Sequence, residues 1–215
     1  RNLRVIDDPN LAEADASWLL SLRGPVDSLL LGGEITLPNA NAFIGRQRAI
    51  LDVEPAATST SSANTYMPRI DQLTIRLGNE VRLRSPEANV QLTGDIAVTG
   101  TLQDPSVRGE ILATRGTYRL DLGPLQRTFH VDSGVVRLNG STDIPPALDI
   151  HTSYLVRQAN REDVKIGARL TGTVREPRLV LSSADLGSTA SETEIISYLI
   201  FGSPSFALDN NGTWA

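Results

Sequence analysis

The sequence predicts an all-β protein: an elongated, mainly antiparallel sheet followed by one short helix near the C-terminus. Three observations carry this. From Asn89 to Gly140 apolar and polar side chains alternate with a period of two, the signature of strands with one apolar and one solvated face. A turn of similar sequence recurs along the chain. The alternation then gives way to a capping box and an apolar stripe of helical spacing. A parallel sheet covered by helices would show continuous apolar runs and long crossovers, and Asn89 to Gly140 has neither, so an antiparallel meander is expected there.

Taken in order, Leu3 to Ile6 reads as a short strand ended by Asp7-Asp8-Pro9. Between Leu11 and Leu22 a helix and a strand compete. The strand fits better, because Ala14, Ala16, Trp18, Leu20 and Leu22 alternate with Glu13, Asp15, Ser17, Ser21 and Arg23. Leu29 to Thr36 is the next strand. From Pro38 the pattern fades; Arg46 to Val53 is ambiguous, and Pro55 to Ala63, rich in Ala, Ser and Thr, reads as a mobile loop. Alternation returns at Leu73, Ile75 and Leu77, then at Val81 and Leu83.

The central stretch divides at turn signals, placed at Asp104-Pro105, Arg115-Gly116, Gly123-Pro124 and Ser133-Gly134. Beyond Gly140, Asp143-Ile144-Pro145-Pro146 leads into a strand carrying Leu148, Ile150, Thr152, Tyr154 and Val156. Arg157 to Asp163 is a charged turn. Val164, Ile166, Ala168 and Leu170 form one further strand, and Leu179 and Leu181 the last. Ser191-Glu192-Thr193-Glu194 is a capping box. The helix behind it presents Ile195, Ile196, Leu199 and Ile200 as the stripe expected to meet a partner surface, and Gly202 and Pro204 end it. At ten residues, Glu192 to Phe201, it spans about 15 Å, half of a bilayer core. It carries no Lys or Arg, so docking across one end of the sheet, as a plug or landing pad, is expected over lying on a membrane.

Composition narrows the function. The net charge of −5 and the scatter of the basic residues, all Arg but for Lys165, argue against a nucleic-acid partner. Absence of Cys excludes disulfides and thiolate metal sites. There is no run of 18 apolar residues, no signal peptide and no initiator Met, so the chain is expected to be a piece of a longer protein whose membrane anchor lies elsewhere. His130 and His151 lack the spacing of a metal-ligand set and read as ordinary surface groups. Ser182, Ser183 and Ser188 have no His nearby, and Gly202-Ser-Pro-Ser lacks the closing Gly of a nucleophile elbow. No catalytic, cofactor-binding or metal-binding residue is assigned, and no enzyme is expected.

The recurring turn begins at Gly24, Gly100 and Gly172, steps of 76 and 72 residues (24 to 100, 100 to 172). Gly24 and Gly100 are each followed nine residues on by Gly-Glu-Ile. Thr171-Gly-Thr-Val-Arg-Glu-Pro177 echoes Thr99-Gly-Thr-Leu-Gln-Asp-Pro105. Repetition of strand, tight turn and strand suggests a sheet extended by similar layers.

From Leu73 to Phe206 the residues resemble the TamB C-terminal domain family, the inner-membrane component of the translocation and assembly module, related to AsmA-like bridge proteins. The resemblance runs through Leu92-Thr-Gly-Asp-Ile-Ala-Val, Gly109-Glu-Ile-Leu-Ala-Thr-Arg-Gly-Thr-Tyr118, Arg127-Thr-Phe-His-Val131, Pro146-Ala-Leu-Asp-Ile150, Pro177-Arg-Leu-Val-Leu-Ser-Ser183 and Ile195-Ile-Ser-Tyr-Leu-Ile-Phe-Gly202. It implies a sheet curled into an apolar-lined trough, often called a β-taco. Residues 73–215 would form this domain, and residues 1–72 would add strands and a mobile loop to the same sheet.

The resemblance further implies a periplasmic conduit for phospholipid between the inner and outer membranes. It would support outer-membrane protein assembly with a BamA-type, TamA-like barrel partner, and would be anchored in the inner membrane through a segment outside this chain. Phospholipid acyl chains and unfolded outer-membrane proteins are the expected cargo classes. The groove residues hold one parity within their strands: Leu92, Ile96, Val98, Ile111, Tyr118, Leu120, Phe129, Val131, Ile150, Ile166 and Leu170. The same pattern admits two other readings. One is a chaperone-like scaffold whose sheet edges template barrel strands by β-augmentation. The other is a closed β-sandwich in which these residues form a dry core.

Overall fold

The computed structural model describes residues 3–8, 12–25, 27–43, 68–121, 126–141, 143–158, 162–187 and 190–204. Ten strands and one helix follow in chain order: β1 (Leu3–Asp8), β2 (Ala12–Arg23), β3 (Leu30–Phe43), β4 (Arg69–Arg84), β5 (Ala88–Gly100), β6 (Pro105–Asp121), β7 (Gln126–Asn139), β8 (Ala147–Val156), β9 (Val164–Thr173), β10 (Pro177–Ser182) and α1 (Glu192–Phe201). They form a single open, curled sheet in which spatial order equals sequence order. Every pairing is antiparallel except β3 with β4. That parallel pair follows from the long connection between the two strands, since a hairpin turn can only reverse the chain. Arg46 to Val53 and Pro55 to Ala63 fall within this connection, outside the described residues.

The strand reading of the segment up to Leu22 is observed as β2. Two expectations are corrected. Arg115-Gly116 and Ser133-Gly134 are not turns but lie inside β6 and β7, which run 17 and 14 residues. Likewise β3 does not end at Thr36 but continues through Pro38 to Phe43. The physical reason is the same at each point: the strand is bulged rather than broken. Gln91 pairs with Arg115 but Leu92 with Ala113, so Thr114 is an extra residue. Between Val131 and Ser133, Asp132 is the extra residue facing β8. Pro38 sits between Leu37 and Asn39, where the register slips and no ladder N–H is needed. The Gly123-Pro124 turn falls outside the described residues.

These irregularities line up. Six of the eight register shifts among the described residues, between Arg4 and Ile6, Asp15 and Ser17, Leu37 and Asn39, Leu77 and Val81, Gln91 and Leu92, and Val131 and Ser133, lie each beside the next across the sheet, and the other two, at Leu31/Gly32 and Ile70/Leu73, lie together nearer the repeat turns. A bulge bends its strand and increases its twist. Bends stacked along one seam add, and the sheet curls about that line.

The three repeat turns share one end of the sheet, and Gly24, Gly100 and Gly172 share a left-handed backbone, with φ of 105°, 102° and 95°. In two of them the following Thr hydroxyl accepts the amide three residues on, Asp104 N to Thr101 Oγ1 at 3.0 Å and Glu176 N to Thr173 Oγ1 at 3.1 Å. Pro25 holds that place in the first copy, and Ser28 N donates to its carbonyl at 2.9 Å instead. Across the outer, polar face, Arg76 bridges Glu34 (2.9 Å) and Asp95 (3.2 Å), and Arg137 reaches Glu110 (3.0 Å). Arg169 grips Asp149 with two bonds of 2.9 Å. These pairs cross from strand to strand and keep the charged row on the solvent side.

Candidate hydrophobic binding face

Directly paired residues of neighbouring strands point to the same side of a sheet, so the register shows which side chains share a surface. Ile96 faces Ile75 and Val98 faces Leu73 on β4; Leu92 faces Ala113 and Tyr118 faces Phe129. Ile111 leads through Val136 to Leu148, Ile150 pairs with Leu170, and Tyr154 with Ile166. Leu120 and Val131 join the same side through Arg127 and Thr152. Followed strand by strand, all eleven residues expected to line a groove lie on one face. The bulges make this possible: the apolar positions of β6 change from odd (Ile111, Ala113) to even (Tyr118, Leu120) without changing side.

The face extends further than those eleven. Trp18, Leu20 and Leu22 join it through Ile35, Gly33 and Leu31 of β3, and all three are exposed. Their own alternation was the signal for a strand. Only the pairing partners could show that this strand shares its apolar side with β5 to β9.

Burial along the face is uneven. Ile96, Ile111, Ile150 and Leu170 are half-buried, and Tyr118 is exposed. A small buried group, Ala14, Ala40 and Val81, sits beside the bulge seam with Leu37, Leu77 and Leu92 against it. Over β7 to β9 the picture differs, because α1 lies on the face there. Phe129, Ile166 and Leu199 are sealed to within 1% of full burial, together with Val156, Val164, Ala168, Ile195 and Tyr198. Leu120, Tyr154 and Leu181 pack against this cluster. Among the described residues, α1, Leu186 and Ala190 of the segment leading into it, and the curl of the sheet itself cover the apolar side.

The local sequence explains how α1 stands there. Ser191 caps it, its hydroxyl accepting the Glu194 amide at 3.2 Å, and Glu192 and Glu194 place negative charge at the positive end of the helix dipole. Gly202 ends it in a left-handed conformation, with its N–H on the Tyr198 carbonyl. The last turn has no basic residue of its own. Arg127 of β7 supplies one, donating Nε to the Leu199 carbonyl (2.7 Å) and Nη2 to that of Ile200 (3.2 Å) while its guanidinium lies 5.7 Å from the centre of the Tyr154 ring. Tyr154 in turn meets Phe129 at 5.5 Å between centroids.

The helix does dock, but not on the expected stripe. Ile195 and Leu199 are buried, whereas Ile196 and Ile200 remain 37% and 36% exposed and Phe201 60%. The buried set is Ile195, Tyr198 and Leu199, at i, i+3 and i+4, with Ser197 beside it. Tyr198 is not in the expected stripe, yet its ring packs with the rest of the core. Of the groups weighed for chemistry, His151 lies 3.2 Å from Asp149, and His130 is exposed on the outer face. Ser183 donates to the Lys165 carbonyl, and Asp185 accepts the Lys165 amide, so both hold backbone.

No helix of the described residues is long and apolar enough to cross a membrane. The family model of the TamB C-terminal domain matches residues 1–215, the first 72 included, and the chain therefore belongs to the TamB C-terminal domain family, that of the translocation and assembly module.

Proposed function

We propose that this chain is a periplasmic segment of a bridge that carries phospholipid between the inner and outer membranes and supports outer-membrane protein assembly with a BamA-type barrel. It works as a surface rather than as a catalyst. The observation that carries the reading is the single apolar face running across the strands, open except where α1 covers it. An acyl chain moving along such a face stays out of water. Each sheltered methylene is worth about 0.8 kcal/mol, so a sixteen-carbon chain avoids a barrier on the order of 12 kcal/mol. Family membership supports an envelope location, and the anchor in the inner membrane would lie in a segment outside this chain.

The test is a photoreactive residue at Ile96 or Ile111, compared with one at Arg137 on the outer face, in cells expressing the full-length protein. Crosslinks to phospholipid from the first two positions and not from Arg137 are the expected result; equal labelling of both faces would sink the conduit. A second reading has its own observation. β10 ends the sheet, and along its outer edge no strand pairs with it among the described residues. That edge could take a strand of an incoming barrel protein by β-augmentation. Crosslinks from Arg178 and Val180 to nascent barrels, with none to lipid from the face, would favour it.

A further inference from the structure

We propose that the cleft between the end of β8 and the C-terminus of α1 is a headgroup site for an anionic phospholipid. The proposal rests on the conduit reading and adds to it a place where the polar end of the cargo is recognised. The cleft has a volume of about 390 Å³, within the range of roughly 300–1,000 Å³ usual for small-molecule sites. Its walls combine two guanidinium groups, Arg127 and Arg157, with Tyr154, Tyr198, Ile200 and Phe201. No carboxylate is among its described lining residues, in a chain whose net charge is −5.

The two arginines have different parts. Arg127 is engaged by the carbonyls of Leu199 and Ile200, so its charge offsets the negative end of the helix dipole, which would otherwise repel an anion. Arg157 is exposed and forms no ion pair among the described residues, which leaves its planar fork available for a phosphate. The apolar part decides between a lipid and a free anion. By register, Arg127 and Tyr154 stand on the apolar face and Leu155 on the outer one, and Arg157 lines the cleft just past the end of β8, so the cleft lies at the rim of the sheet. A lipid seated there would set its phosphate on Arg157 and lay its tail against Ile200 and Phe201, the exposed side chains that α1 turns away from the core.

Isothermal titration of this chain with three probes tests it: dihexanoyl-phosphatidylglycerol, dihexanoylglycerol and inorganic phosphate. The charged lipid is expected to bind at least tenfold more tightly than the uncharged one. Arg157→Gln should reduce that advantage to about twofold or less without changing dihexanoylglycerol binding, and Arg157→Lys should fall between. Equal affinity for the two lipids, or an unchanged advantage in Arg157→Gln, overturns the site. Inorganic phosphate binding as tightly as the charged lipid also overturns it, since the tail would then contribute nothing. If neither lipid binds, the conduit reading fails along with the site. If dihexanoylglycerol binds and the charge adds nothing, the headgroup site alone fails.

Discussion

Arg127, on β7, donates from Nε to the carbonyl of Leu199 in the last turn of α1, 2.7 Å away, joining two residues 72 positions apart in the chain. A helix leaves its final carbonyls without partners inside the helix, and a cation beside them is favoured both as a donor and by the dipole. Replacing Arg127 by Gln keeps at most part of this. Arg127→Gln should lose roughly 1.5–3 kcal/mol of stability, the range for a hydrogen bond involving a charged group. The amides of the last helical turn should also exchange faster with solvent. Arg127→Lys should recover part of both. Unchanged exchange in the Gln variant would mean that the capping is dispensable.

The burial of α1 makes its side chains unequal. Phe129→Ala or Leu199→Ala removes a fully buried side chain from the contact between sheet and helix, and each should destabilise by about 3–4 kcal/mol. Ile196→Ser, on the exposed side, should stay within roughly 0.5 kcal/mol. Urea midpoints of the three variants decide. Similar losses at Ile196 and Leu199 would restore the stripe expected from the sequence.

How far the fold could be read in advance differs from residue to residue. Alternation was sufficient for β5 and β8, whose inward-facing apolar positions (Val90, Leu92, Ile96 and Val98; Leu148, Ile150, Tyr154 and Val156) keep one parity from end to end. It misled at Gly116 and Gly134, because a parity change beside a glycine looks the same in sequence whether the chain reverses or bulges. Register distinguishes the two, and register is a property of the neighbouring strand. The parallel pairing of β3 with β4 was not legible for the same reason. On the helix, Ile196 and Ile200 are as apolar as Ile195 and Leu199; the face that turns inward is the one that packs with Phe129, Val156, Val164, Ile166 and Ala168, and the sequence of the helix alone does not show it.

The shared geometry of the repeat turns can be tested at their glycines. At Gly100 and Gly172 a Cβ would lie 2.6 Å from the Asp104 carbonyl oxygen and 2.5 Å from that of Glu176, on top of the left-handed φ. Gly187 has a comparable φ of 84° but nothing within 4 Å of a Cβ. Gly100→Ala and Gly172→Ala should therefore each cost about 2–3 kcal/mol, and Gly187→Ala only about 1. Thermal unfolding compares them. Equal losses at all three would mean that φ alone matters and that the close approach to the carbonyl does not.

Asp149 offers a prediction in pH. The hydrogen bonds from Arg169, assisted by its charge and that of nearby cations, hold the Asp149 carboxyl below its ordinary value of 3.8. A depressed folded-state pKa contributes stability that is present above the unfolded value and disappears as pH falls through the folded one. Wild type should thus exceed Asp149→Asn in thermal midpoint at neutral pH, and the two should converge in acid below the ordinary carboxylate range. The pair is exposed, so the difference should be small and should shrink with added salt. A difference that persists at low pH would show that the carboxylate charge is not its source.

The conduit reading makes its sharpest demand at Ile96. Ile96 is half-buried on the open part of the face, opposite Ile75 and Gly109, whereas Leu120 packs against the cluster under α1. A charge at Leu120 would disturb the helix contact, so loss of function in Leu120→Arg would not separate folding from transport. At Ile96 the two separate. Ile96→Asp puts a carboxylate where it can remain hydrated, yet an acyl chain sliding past must either desolvate it or leave the surface. In the full-length protein this variant should keep the β-type circular dichroism spectrum and thermal midpoint of wild type to within a few degrees, while phospholipid delivery to the outer membrane falls several-fold. Ile96→Val, which keeps the surface apolar, should transport normally. Normal delivery by Ile96→Asp would show that no apolar cargo crosses this part of the sheet, and unfolding of it would show that Ile96 belongs to a core.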